Sequence, residues 1–292
     1  MTEEIIDFEN ARLKMKKWRE DIDRNSEEIV EYGECLIAEY ASKLGDELWV
    51  LYEQVFVAAL DCYRIDLAEE CLAALHKQFP KSKRVFKLQG MYHEARQQYS
   101  KAEAVYTKML EDEPANLVAK KRLIAMKKAQ NKYEETIQEL NDYLKDFMAD
   151  QEAWMELSEL YIHQQEFAKA AFCMEELILS HPHNHLYHQR YAEIHYTIGT
   201  SESMEKAKKY FAQALKLDPG NARALYGLYL AASNSVQGKS NTSSKKKSIN
   251  LSQWTANKIV DMYSMQPNEN QRKNMETMFE DLQISLPSNI PE

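Results

Sequence analysis

Four histidines, His181, His183, His185 and His188, fall within a single short stretch, and imidazoles at that spacing could in principle hold a transition metal. No cysteine or carboxylate cluster adjoins them, and so short a turn would have to borrow its geometry and outer shell from elsewhere. The expectation is a polar turn that caps the next helix, with no metal and no cofactor. The four cysteines, Cys35, Cys62, Cys71 and Cys173, share no ligand spacing. Each sits in a helical pattern, where a thiol usually acts as a small buried hydrophobe in reducing surroundings. Nucleophilic catalysis has no foothold: there is no Gly-x-Ser-x-Gly elbow, no Gly-rich phosphate loop and no His-Glu-x-x-His. Carboxylate pairs such as Glu28/Glu31, Glu69/Glu70 and Glu175/Glu176 read as solvated helix faces. An enzyme is not expected.

The histidine turn is one beat of a longer rhythm. Pro80, Pro114, Pro182 and Pro219 follow one another at intervals of 34, 68 and 37, and Ala68, Ala102, Ala170 and Ala207 each stand twelve residues before one of them. A 34-residue period marks the tetratricopeptide repeat, a pair of antiparallel helices that stacks on its own copies. In residues 151–184, Trp154, Leu157 and Tyr161 form one apolar stripe, small residues at Ser158 and Ala170 let two helices approach, and Pro182 stops the second helix. Counting in 34s gives repeats at 49–82, 83–116, 117–150, 151–184 and 185–221, then a half repeat at 222–233. The fifth has three extra residues, expected in the turn 199–202. Residues 1–48 read as an N-terminal helical cap, 234–249 as a flexible Ser/Lys-rich loop, 250–284 as C-terminal helices and 285–292 as a frayed tail. The fold class predicted is an all-α solenoid of stacked antiparallel helix pairs in a right-handed superhelix.

Composition supports that class. The chain has 292 residues, 44% of them hydrophobic, and only 7 Gly and 7 Pro, so it can bury a continuous helical core. A net charge of −9 speaks against general nucleic-acid binding. No stretch approaches the ~20 apolar residues of a membrane span, and the acidic start Met-Thr-Glu-Glu lacks a signal peptide's basic and apolar regions. These features point to the cytosol.

A repeat array offers an extended surface rather than a pocket, so its expected work is holding other proteins. In such arrays positions 2, 5, 9 and 12 of each first helix face the binding groove. They read Arg84, Lys87, Met91 and Glu94; then Val118, Lys121, Ala125 and Lys128; then Glu152, Met155, Glu159 and Ile162; then Leu186, Gln189, Glu193 and Tyr196; and finally Arg223, Tyr226 and Leu230. From these the expected partner-binding set is Arg84, Lys87, Met91, Lys121, Lys128, Met155, Glu159, Tyr196, Tyr226 and Leu230. The sign changes along the row, from basic to mixed acidic and apolar, which would suit an extended partner of complementary polarity. A clamp for a chaperone's C-terminal carboxylate is not expected: the matching places hold Glu53 and Val57, Lys87 and Met91, or Lys121 and Ala125, without the asparagines.

Several segments are more specific than the repeat. Tyr40-Ala41-Ser42-Lys43-Leu44-Gly45-Asp46 with Trp49 and Tyr52-Glu53-Gln54-Val55 resembles the start of the subunit 2 family of the ER membrane protein complex. Asp150 to Trp154, Ala168 to Cys173, Pro182 to Tyr187 and Tyr210 to Leu217 are similar to the same family. The resemblance spans about residues 13–233. It implies a non-catalytic scaffold, peripheral on the cytoplasmic side of the endoplasmic reticulum. Its partners would be cytosolic segments of membrane-embedded subunits and a small soluble subunit, in a complex that inserts tail-anchored and multipass membrane proteins. The alternative is a repeat scaffold of another cytosolic assembly, in transport or RNA processing.

Overall fold

A computed structural model describes residues 7–237 and 242–264, together with 273, 274 and 277. Regular structure among them is helical throughout: α1 (Phe8–Glu20), α2 (Ser26–Leu44), α3 (Glu47–Asp61), α4 (Ile65–Gln78), α5 (Lys83–Ala95), α6 (Tyr99–Asp112), α7 (Leu117–Ala129), α8 (Tyr133–Asp146), α9 (Gln151–His163), α10 (Phe167–Ser180), α11 (His185–Ile198), α12 (Ser201–Leu217), α13 (Ala222–Gln237) and α14 (Thr242–Ser264). No described helix is long and apolar enough to cross a membrane.

The chain divides into two compact units, residues 1–132 and 133–292. In the first, α2 packs on α3, α3 on α4 and α5 on α6. Its larger core runs from Ala11, Met15 and Leu36 through Val55, Phe56 and Ala68 to Leu88, and a second cluster joins Ala102, Tyr106, Ala119 and Met126. In the second unit α9 packs on α10, α11 on α12 and α13 on α14. Its core passes from Ala170, Met174 and Leu177 to Ala207, Phe211 and Leu228, and ends at Leu225, Tyr229, Ala256 and Ile259.

Three local devices recur at the repeat spacing. Asn116, Asp150, Asn184 and Asn221 stand before α7, α9, α11 and α13, and each side chain accepts a hydrogen bond from a first-turn amide, at 3.0, 3.2, 3.0 and 2.9 Å. Between the paired helices the chain turns through the left-handed region at Tyr63, Gln97, Asn131 and Gln165, with φ of 62°, 58°, 60° and 61°. These positions are 34 apart, and the fifth in line is Gly199 at φ 74°. Gly199 adopts that conformation without strain and Asn131 tolerates it, whereas Tyr63, Gln97 and Gln165 do not favour it. Finally, small residues bring paired helices together. A Cβ on Gly90 would stand 2.3 Å from the Tyr106 ring, and the Ser158 hydroxyl donates to the Ala170 carbonyl at 3.1 Å.

Two expectations need correction. The three extra residues of the fifth repeat do not lengthen the turn at 199–202. They extend α12 to 17 residues, against 14 in α10. Thr200 explains this, because its hydroxyl accepts from the Ser203 amide at 3.1 Å and starts the helix at Ser201. Nor are the described residues of 234–249 a loop: residues 234–237 complete α13 and 242–249 begin α14, while 238–241 lie outside the described residues. Where side chains of that stretch and the turns after it are described, hydroxyls take part of the buried side. Ser248 is buried and accepts from Lys208 Nζ at 3.2 Å, and Thr255 donates to the backbone carbonyls of Leu251 and Ser252. Most of the expected C-terminal helices beyond 264, and the tail from 285, lie outside the described residues.

Two substitutions probe these devices by chemical denaturation. Gly90→Ala forces a methyl into the Tyr106 ring and should cost about 1–3 kcal/mol. Gln165→Gly relieves a left-handed side chain and should leave stability unchanged or raise it by up to about 1 kcal/mol.

Candidate functional site

First-helix residues of adjacent repeats are joined by ion pairs. In the first unit Arg84 of α5 reaches Glu53 of α3, Nε to Oε1 at 3.2 Å, and Arg122 of α7 reaches Glu94 of α5 at 3.0 Å. In the second unit Arg190 of α11 donates to Glu159 of α9 at 2.6 Å, and Arg223 of α13 reaches Glu193 of α11 at 2.5 Å. Glu193 is the most loaded of these carboxylates, since it also accepts from Gln189 and Arg190 at 2.9 and 3.0 Å. Burial pushes its pKa up, but the hydrogen bonds from Arg223, Gln189 and Arg190 outweigh that and hold the carboxyl below its ordinary value.

The pairing changes how the expected partner-binding residues stand. Arg84 and Glu159 are exposed but committed to neighbouring repeats. Lys87 is half-buried, Met91 is half-buried against the first core, Lys121 is half-buried and Lys128 is exposed. In the second unit Met155 (46% exposed) and Glu159 share a groove of about 400 Å³ with Leu186 (54% exposed), Arg190, Glu193 and Arg223. Leu230 is also exposed, and the half-buried Tyr196 accepts from Asn234 at 2.7 Å. Neither lines that groove. Tyr226 departs from the expected face: it is half-buried against the α13–α14 core, where burial and a hydrogen bond with Tyr263 push its phenol up. The reason is α14, which covers that edge and which the sequence did not place there.

Sequence reasoning missed a surface in the first unit. Two adjoining grooves, of about 290 and 390 Å³, share Val50, Glu53 and Arg84. Trp18, Ile22 and Val57 line one; Trp49, Phe79 and Leu88 line the other. The signal was present, because Val50, Glu53 and Val57 occupy positions 2, 5 and 9 of the repeat at 49, one repeat before the row was begun. The ion pairs were legible too. The separations from Glu53 to Arg84 and from Glu159 to Arg190 are both 31 residues, and Glu193 to Arg223 is 30.

The histidines disperse instead of converging. His181 Nε2 lies 2.9 Å from the Gln151 amide nitrogen, and His185 Nδ1 lies 2.9 Å from that of Asn221. His188 donates from Nε2 to the Pro182 carbonyl at 2.8 Å and stacks on Tyr210, while His183 is exposed. A fifth histidine is chemically more pointed. His195 is 6% exposed, has no hydrogen-bond partner on either ring nitrogen, and packs edge-on to Tyr191 at 4.4 Å. Among the cysteines, burial pushes Cys71 and Cys173 to about 12, so both thiols stay protonated.

Burial, then Lys206, lowers the His195 pKa from 6.5, and Glu175 and Glu202 oppose them without prevailing. The unfolded chain therefore takes up a proton near 6.5 that the folded chain resists, and stability is lost as pH falls below that value. His195→Gln should flatten this part of the profile by no more than about 1.4 kcal/mol per pH unit. Thermal melts across the range decide it, and identical slopes for both proteins would refute the assignment.

Comparison with known proteins places this geometry. Residues 78–210 match the family model described as EMC2 TPR-like repeat domain. The chain is 48% identical over 286 residues to ER membrane protein complex subunit 2-A of Xenopus laevis, covering 96% of each. It is 29% identical over 250 residues to ER membrane protein complex subunit 2 of Dictyostelium discoideum, covering 81% of this chain and 77% of that one. Among solved structures it resembles the C-terminal part of a TPR repeat-containing protein from Cytophaga hutchinsonii, with a TM-score of 0.60 at 16% identity over 92% of this chain and 99% of the other. That last likeness shows the tetratricopeptide fold alone.

Proposed function

This chain belongs to the family of subunit 2 of the ER membrane protein complex, and from that premise we propose that it is a non-catalytic scaffold subunit of such a complex. It is peripheral, on the cytoplasmic side of the endoplasmic reticulum membrane, and holds cytosolic segments of membrane-embedded subunits and a small soluble subunit. Through them it supports insertion of tail-anchored and multipass membrane proteins. In this reading residues 49–233 are the scaffold proper, capped by 1–48.

The observation that carries the reading is the exposure of apolar side chains on first helices whose charges are already paired. Met155 and Leu186 stand in solvent at the rim of one groove, with Arg190, Arg223 and their carboxylates neutralising each other beside them. A charged rim satisfied from within costs a partner little desolvation, so burying the apolar side chains supplies the binding energy. The family membership supplies the assembly.

The test is purification of the tagged full chain from membranes in mild detergent. Subunits of one membrane complex should co-purify. Met155→Glu with Leu186→Glu should reduce their yield roughly tenfold or more, with little change in the melting temperature of the chain. Undiminished co-purification would reject the groove. Recovery of a transport or RNA-processing assembly in place of membrane subunits would reject the proposed complex.

A further inference from the structure

We propose that the outward face of α14 is a contact surface for an anionic lipid bilayer. The proposal rests on α14 itself and not on the subunit reading, in which attachment to the membrane runs through other subunits.

The chain carries a net charge of −9, yet α14 inverts that sign. It holds Lys245, Lys246, Lys247 and Lys258 against a single acid, Asp261. Its inward side is fixed by Thr255, Ala256 and Ile259, the last two packed against Leu225 and Tyr229 of α13, so the opposite arc must face solvent. That arc presents Lys246, Lys247, Ile249 (40% exposed) and Trp254 (49% exposed), spaced by the neutral amides Asn250, Gln253 and Asn257. Glu205 is held by Lys208 at 2.6 Å, and among the described residues Lys246 and Lys247 make no ion pair. Lys258 is shared with Asp261 at 3.5 Å.

Two occupants could meet an exposed tryptophan beside lysines. A peptide would use the groove of about 870 Å³ between α14 and the α12–α13 turn, which Trp254 and Lys258 line with Leu215, Pro219 and Tyr263. That groove does not include Lys246, Lys247 or Ile249. By helical rise these lie about 8–12 Å from Trp254 along the axis. A planar surface meets all four side chains together. Lysines close to an anionic leaflet gain electrostatic attraction, and an indole settles at the boundary between headgroups and acyl chains. The arc is polar rather than continuously apolar, so the contact is superficial and salt-sensitive, a docking face and not an inserted helix.

The experiment is co-sedimentation of the purified full chain with vesicles of phosphatidylcholine alone, or of phosphatidylcholine with phosphatidylserine. Binding is expected only to the anionic vesicles, with release as salt is raised. Lys246→Gln with Lys247→Gln should lower the partition coefficient roughly 25-fold, about fivefold for each lysine. Trp254→Ala should lower it several-fold. All three side chains are exposed, so melting temperatures should hold, and the lysine variant tests the proposal even where Trp254→Ala perturbs the groove. The proposal is overturned by absence of binding to phosphatidylserine vesicles, or by undiminished binding of the double lysine variant. Salt-sensitive binding that ignores Trp254 and is abolished by soluble polyglutamate would overturn it in favour of an acidic protein partner.

Discussion

Everything in this molecule depends on how closely two helices of a pair can approach. Where Gly90 faces Tyr106, an aromatic ring occupies the volume a side chain would need, 2.3 Å from where a Cβ would lie. Where Ser158 replaces glycine, its hydroxyl bonds the Ala170 carbonyl and turns the same approach into a polar link inside the core. Close approach fixes the angle and spacing of each pair, and only a fixed pair can repeat. The caps and left-handed turns then hold each pair to its length, so the first helices start at 83, 117, 151 and 185 without drift.

A regular backbone makes a regular surface, and the ion pairs exploit that. Because, within each unit, a first helix lies beside the equivalent helix of the repeat before it, an arginine of one can find a glutamate of the other. Exposed pairs of this kind contribute little stability each. Their more important effect is on recognition. A face with bare charges of one sign would attract many partners and pay desolvation for each, whereas paired charges leave Met155 and Leu186 in solvent as the features with most to gain from being covered. Glu193, with three donors on one partly buried carboxylate, is the firmest of these junctions.

Much of this was legible in the sequence. The helix pairs follow from proline, alanine and small-residue positions because those residues act locally, through backbone geometry and close contact. The subtler features were hidden for identifiable reasons. Tyr63, Gln97 and Gln165 adopt left-handed backbone without the glycine that would advertise it, since the flanking helices over-determine the turn. Glu53 lies one repeat before Arg84, so their pairing shows only as a 31-residue separation and not as a local pattern. Tyr226 was assigned to the binding face because repeat numbering carries no information about a helix added after the last repeat.

That added helix shows why counting apolar residues fails at the end of a solenoid. A terminal repeat has one face without a neighbour, and α14 covers it using Thr255, Ala256 and Ile259 together with Ser248, half of them hydroxyls. The contact that positions its first turns is polar: Lys208, almost fully buried on α12, donates to Glu205 and to the Ser248 hydroxyl across the interface. A buried ammonium is tolerated only with its donors satisfied, so sliding α14 by one turn would leave Lys208 its Glu205 partner but take away the Ser248 hydroxyl. The register of the capping helix is therefore set by one lysine and one serine, and a hydroxyl-rich stretch that reads as a loop becomes a helix whose outer arc is held in a single orientation.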